Sequence, residues 1–434
     1  MVERPPARRD RLAATVTRHP WPFVLLISIL VNCWVLALSP VHLPDTPSYF
    51  RLNLTGRDRL PVVVIVFKAL RRDTLIVIAQ VLMAATAWTF LAREVALLLR
   101  DRRARIGTAM AVVALGATPA IANWNSVIQS ESLSTSLLVV VVACALLTVR
   151  TNTASSAVLA MAALTLWLLS RSQNIILGLL VCLLALPVVL LRGTSRQRRT
   201  LVAAGSLCLL TLPIGLRNQT VTIRNLSQIV SVRVLTDSGT REWWYGHGLP
   251  RGSCLEALDA TPYCVDRDQR LHSWFKSEGT STYGRWLATR PVWAISAPIA
   301  RGFGANSTLF DGPTLAADWL EDVDPWGVAW IGQVALALAL AGVTAHAVVK
   351  RRISRAETTG LILVGIAIVW LIPSFHGAGL EMGRLALPSA VLAKVGVVAM
   401  VAGLLDSGAA SHGTTSRRPR RAGSAAVERR SRSK

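Results

Sequence analysis

Acidic residues are scarce in this chain. Asp and Glu total 24 of 434 residues, against 47 Lys and Arg, for a formal net charge of +23. Lysine is nearly missing, with five copies, which leaves 42 of the 47 cations as arginine. Cysteine occurs six times, and no Cys/His spacing matches a zinc site. Long polar stretches are equally few, since 52% of residues are hydrophobic and mean hydropathy is +0.46. That balance excludes an ordinary soluble domain. In a soluble protein so much positive charge implies nucleic acid, but here the basic residues fall mainly in short loops and at the two termini. There they orient helices and meet anionic headgroups, so the partner is a lipid bilayer and not a nucleic acid.

Apolar runs of membrane length are abundant. A span needs about 20 residues at 1.5 Å rise, and hydropathy gives ten candidates: 21–39, 73–92, 106–122, 131–149, 154–170, 174–191, 200–216, 326–349, 359–375 and 385–405. A cleaved signal peptide leaves one short run followed by soluble sequence, which is not this pattern. Arg4, Arg8, Arg9, Arg11 and Arg18 precede the first span and hold the N-terminus in the cytoplasm. On that assignment the inner loops carry Arg93 with Arg100, Arg102, Arg103 and Arg105, then Arg150, then Arg192 with Arg196, Arg198 and Arg199, then Lys350 with Arg351, Arg352 and Arg355. Every short inner loop is basic, as the positive-inside rule requires.

The expected fold is therefore an all-α polytopic protein of the cell membrane with both termini cytoplasmic. Its parts are a basic tail (1–20), a seven-span module (21–216), an outer segment (217–325), three C-terminal spans (326–405) and a disordered basic tail (406–434). Within the first outer loop, 40–72, the stretch Leu60 to Leu70 is too short to cross and contains Lys68, which predicts a helix lying in the membrane interface. Cys254 and Cys264 share the long outer segment, where an oxidising compartment favours a disulfide between them. The other four cysteines lie in spans and read as small packing residues.

Ionisable residues at span ends on one face are functional candidates. Asp45 follows the first span in Pro44-Asp45-Thr46-Pro47-Ser48-Tyr49 and emerges outside, where a carboxylate beside an aromatic and two prolines is a candidate general base. The same residues also make a good turn. Glu131 opens the fourth span in Gln129-Ser130-Glu131-Ser132, as a second acid or as a helix cap. Arg171 ends the fifth span, and its side chain either holds a phosphate or snorkels to headgroups. His376, Glu381 and Arg384 lie between the last two spans; Glu381 and Arg384 are three apart and also suit a local ion pair. In the outer segment, Trp243-Trp244-Tyr245-Gly246-His247 is an aromatic cluster of the kind that stacks on sugars or seats a loop on the bilayer.

Taken in order, these pieces resemble the GT-C superfamily, polytopic glycosyltransferases of the dolichyl-phosphate-mannose mannosyltransferase type that use polyprenyl-phosphate-linked sugars. The resemblance rests on the Asp45 motif followed by Thr55-Gly56-Arg57-Asp58-Arg59-Leu60-Pro61, on Gln129-Ser130-Glu131-Ser132-Leu133, and on Glu381-Met382-Gly383-Arg384 opening the last span. It implies Asp45 as the base that activates an acceptor hydroxyl and Glu131 as a second acid in the site. Arg384, and secondarily Arg171, would contact the donor phosphate, with Tyr49, His376, Glu381, Trp243 and Trp244 around the acceptor pocket. Many members carry a paired acid in the first loop; Asp45 has none two positions away, which favours metal-independent chemistry over a divalent cation. The acceptor is a glycan, a lipid or a protein. An O-antigen ligase or polymerase, using Arg241, His247 and Arg251 in the long loop, and a secondary transporter are the competing readings.

Overall fold

The structure is a computed structural model, and it describes residues 20–42, 46–50, 60–215, 219–235, 237–252, 255, 264–305, 329–377 and 382–413. Among these it is almost entirely helical, at 87%, with no strand. The helices are α1 (Trp21–Asn32, continued as a 3-10 turn to Ala37), α2 (Thr46–Phe50), α3 (Pro61–Leu70), α4 (Asp73–Ala96), α5 (Arg102–Gly116) and α6 (Pro119–Ala122, continued as a 3-10 turn to Ser126). There follow α7 (Ser130–Thr151), α8 (Ala154–Leu168), α9 (Ser172–Arg192) and α10 (Ser195–Gly215). The outer segment holds α11 (Gln219–Ile229), α12 (Ser238–Gly246), α13 (Cys264–Arg267), α14 (Gln269–Trp274), α15 (Thr280–Thr289) and α16 (Pro291–Ala305). Last come α17 (Ala329–Lys350), α18 (Arg355–Gly377) and α19 (Met382–Gly413).

Of the ten expected spans, five are single helices long and apolar enough to cross a bilayer: Asp73–Ala96, Ser130–Thr151, Ser172–Leu191, Arg355–Gly377 and Leu385–Ser407. A sixth arises if α5 and the Pro119–Ser126 segment count as one span, although they meet at a 54° bend. Pro119 causes that bend, since it cannot donate into the preceding helical turn. The expected spans at 21–39 and 154–170 appear as shorter apolar helices, Trp21–Ala37 and Ala154–Leu168, and the one at 326–349 as α17, apolar over Val334–Lys350. At 1.5 Å per residue the 15 residues of α8 reach about 22 Å, short of a hydrocarbon layer of about 30 Å. In α10 the opening Arg196, Arg198 and Arg199 dilute the apolar run. The short helix expected at Leu60 to Leu70 is present as α3, which buries Val63, Val64 and Phe67 and leaves Ile65 exposed.

Caps account for several boundaries. Asp101 accepts from the Ala104 amide at 2.8 Å to start α5, and the Thr153 hydroxyl accepts from Ser156 to start α8. α7 stops at Asn152, which takes the left-handed conformation at φ 50°. The main core joins α4, α7, α18 and α19 around Trp88, Trp167 and Trp370. α18 and α19 approach closely because Gly360 faces Gly396; a Cβ on Gly360 would lie 2.5 Å from the Gly396 carbonyl oxygen.

The two ends of this bundle differ. At one end the basic loops gather, held by carboxylates. Glu94 accepts from Arg150 Nε at 3.0 Å, Asp406 accepts from the Arg100 and Asp101 amides, and Glu357 pairs with His346 at 2.7 Å. At the opposite end α4 begins beside His42, whose ring lies 2.7 Å from Asp73, and α7 begins at Ser130. α4 and α7 therefore run parallel, with Glu131 and the basic loops at opposite ends.

Candidate active site

The site grows out of an irregular stretch between α6 and α7. Residues 123–130 turn back into the bundle and are buried, although Asn123, Asn125, Ser126, Gln129 and Ser130 are polar. Such backbone survives among apolar helices only where protein groups satisfy it. Here Val41 does so on one side: its amide donates to the Ser126 carbonyl at 2.9 Å, and its carbonyl accepts from the Ile128 amide at 2.9 Å. Gln80, on α4, reaches the Val127 and Gln129 carbonyls at 3.3 and 3.4 Å.

The first-loop motif docks on the same stretch. The Thr46 hydroxyl donates to the Ile128 carbonyl at 3.1 Å, and Tyr49 Oη lies 3.1 Å from Ser130 Oγ. Tyr49 is buried against Phe67 of α3, with ring centroids 5.8 Å apart. Helix α3 thus supports the aromatic that ties the first loop to the start of α7.

Glu131 stands in the first turn of α7 and is 1% exposed. Arg171 Nη2 lies 3.2 Å from Glu131 Oε1, and the two side chains are 11% and 1% exposed. The pairing has a local logic. A carboxylate in the first turn is stabilised by the positive end of its helix, whereas Arg171, immediately before α9, sits at the wrong end of a helix for a cation. The Glu131 carboxylate offsets that conflict. Around the pair, Ser132 Oγ donates to Asn125 at 2.6 Å, and Asn174 Nδ2 donates to Ser134 Oγ at 3.0 Å and to the Trp167 carbonyl at 2.8 Å.

The structure brings Tyr49, Glu131 and Arg171 together and gives His376, Trp243 and Trp244 different surroundings. Arg171, expected as a phosphate ligand, is paired with Glu131. His376, at the end of α18, is engaged at both nitrogens: Nε2 lies 2.8 Å from the Ala294 carbonyl and Nδ1 lies 2.7 Å from Tyr283 Oη. A carbonyl only accepts, so Nε2 carries the hydrogen and Nδ1 accepts from the Tyr283 hydroxyl. His376 therefore joins the outer segment to the bundle. Trp244 is 0% exposed, packed among Trp274, Tyr283 and Trp286, while Trp243 is half-buried and stacks on His247 at 3.8 Å. Of this aromatic pair, Trp243 is the one near the surface.

Asp45, Glu381 and Cys254 lie outside the described residues. Arg384 falls in the first turn of α19 and Cys264 opens α13. Among the described residues no three His, Cys, Asp or Glu side chains gather closely enough to hold a metal ion. The Glu131 carboxylate faces a guanidinium, which is a poor donor set for a cation. Reasoning from charge missed Gln80, Asn125 and Asn174. Their signal is an amide in an otherwise apolar helix or an irregular turn, which hydropathy averages away. No protein-family model matches this sequence, and a search of curated proteins finds no match.

Proposed function

We propose that this protein is a GT-C-like membrane glycosyltransferase that moves a sugar from a polyprenyl-phosphate carrier to a hydroxyl acceptor, with inversion, at the outer face of the cytoplasmic membrane. The observation that carries this reading is the pair of bonds Thr46–Ile128 and Tyr49–Ser130, which seat the covalent neighbour of Asp45 and the rest of its motif against the turn that holds Glu131. Sidedness comes from the charge pattern: the Glu131 end is opposite the basic loops, hence outside. The reading takes all ten apolar segments as crossing, the short ones by local thinning of the bilayer.

In this scheme Asp45 takes the proton of the acceptor hydroxyl as it attacks the anomeric carbon. Glu131, paired with Arg171 in the first turn of α7, orients the acceptor. The leaving phosphate is already anionic and requires a cation, the role given to Arg384. The outer segment, with Trp243 near its surface, contacts the glycan, lipid or protein that receives the sugar. The 54° bend between α5 and Pro119–Ser126 favours a second reading, secondary transport, because discontinuous helices line transporter sites.

Membranes containing the protein, supplied with a panel of labelled polyprenyl-phosphate sugars, separate the two. Transfer with release of the carrier phosphate, lost in Asp45→Asn and Glu131→Gln and reduced in Arg384→Ala, is the expected outcome. Absence of transfer from every donor, with solute uptake in proteoliposomes, would replace the enzyme reading by transport.

A further inference from the structure

Three carboxamides at the Glu131 end hold their nitrogen to the protein, or stand free of it, and keep a buried oxygen without a donor. Gln80 is 3% exposed, Asn123 1% and Asn174 0%, and Gln80 Oε1, Asn123 Oδ1 and Asn174 Oδ1 have no hydrogen-bond partner among the described residues. For two of them the amide orientation is decided by the neighbours. Gln80 Nε2 faces the carbonyls of Val127 and Gln129, and Asn174 Nδ2 faces the carbonyl of Trp167 at 2.8 Å. Carbonyls only accept, so the nitrogens belong there and the oxygens are turned away. All three side chains are carried by, or bonded to, the stretch from Asn123 to Ser134 that contains Glu131. Buried amide oxygens without donors are costly and rare in folded proteins. Three on, or bonded to, the one stretch that carries Glu131 mark a place built to accept hydrogens.

We infer that Gln80, Asn123 and Asn174 form a hydroxyl-accepting subsite beside the Glu131–Arg171 pair, which reads the sugar of the carrier lipid through its hydroxyl groups. The inference rests on the carrier-lipid reading above and adds to it the residues that distinguish a glycosylated carrier from a bare one. A sugar supplies several O–H donors within a few ångströms, which three acceptors around one turn can share. A phosphate at neutral pH presents acceptors to the same oxygens and is repelled. The subsite therefore selects the polyhydroxyl portion of the ligand and leaves its phosphate to cations.

The test uses the full chain in nanodiscs with two probes, a radiolabelled polyprenyl-phosphate hexose and bare polyprenyl phosphate. Gln80→Met and Asn123→Leu are expected to weaken binding of the glycosylated carrier about three- to tenfold, the value of one neutral hydrogen bond, while bare carrier binds as before. The Asn123 side chain takes part in no hydrogen bond among the described residues, so its variant keeps the fold even if Gln80→Met does not. Equal binding of the two probes to each variant, relative to wild type, would mean that internal water satisfies these oxygens and would overturn the inference. Failure of the wild type to bind either probe overturns the carrier-lipid reading itself, and the subsite with it.

Discussion

At the scale of single residues, the Glu131–Arg171 pair is where structure and proposed chemistry meet. Both side chains are withdrawn from solvent, so removing one partner leaves a buried charge exposed to the full desolvation cost. Glu131→Gln is expected to lower stability by about 3–5 kcal/mol, and Glu131→Gln with Arg171→Gln to recover part of it. Thermal unfolding of the detergent-solubilised protein measures both, and a double variant no more stable than the single one would show that the pair is not coupled. Arg171→Lys keeps the charge but loses the planar fork, so an intermediate loss is expected. Glu131 was legible in the sequence as an acid at the margin of an apolar run. Its pairing with Arg171 was not, because 40 positions separate them and only the return of the chain along α8, which packs on α7, brings them together. Gln80 and Asn174 were illegible for a different reason: an uncharged amide hardly alters the hydropathy of its helix.

At the scale of elements, the contact between α18 and α19 depends on absent side chains. Gly360 and Gly396 let two backbones meet, and a β-branched residue at 360 must push α19 away. Gly360→Val is expected to cost about 1–3 kcal/mol through overpacking. The loss should appear as a lower unfolding temperature in detergent, and an unchanged temperature would show that the helices separate freely. The same element scale explains why fewer helices than expected are single, long and apolar enough to cross a bilayer. Hydropathy reads a run of apolar residues and cannot see where a helix breaks, so 106–122 looked continuous although Pro119 divides it. It also read through Leu169 and Ser170, where α8 has already ended. The short helix α3 was legible as a helix, since its apolar run is bounded by Pro61 and by Arg71 and Arg72.

At the scale of the whole molecule, the outer segment is joined to the bundle through the last turn of α18. Arg233 donates to the Phe375 carbonyl and stacks on its ring, Asn225 donates to the Gly377 carbonyl at 3.1 Å, and Tyr283 bonds His376. Carbonyls at a helix C-terminus lack partners within the helix, so they are natural places for such donors. Burial pushes the Tyr283 hydroxyl above the ordinary tyrosine value of 10.0, with the Arg233 charge opposing the shift. The neutral phenol is the form that the fold holds. Its contribution is complete below pH 10, where the unfolded residue begins to ionise, and falls as pH rises beyond that value. Tryptophan emission from Trp244, Trp274 and Trp286 should therefore change on alkaline titration, and Tyr283→Phe should shift that change to higher pH. An identical titration in the variant would assign the transition to another group.

Composition and charge placement alone determined that the chain is helical, membrane-bound and basic along one set of loops, because the bilayer imposes span length and arginine distribution on any sequence that enters it. The acid motifs and the short helix α3 followed from the same local signals. Only the tertiary structure decided that Tyr49 meets Ser130, that Glu131 binds Arg171, and that Trp244 and His376 serve packing and docking. Those outcomes depend on residues far apart in the chain, and long-range pairing is set by how helices pack, which no local pattern of hydropathy records.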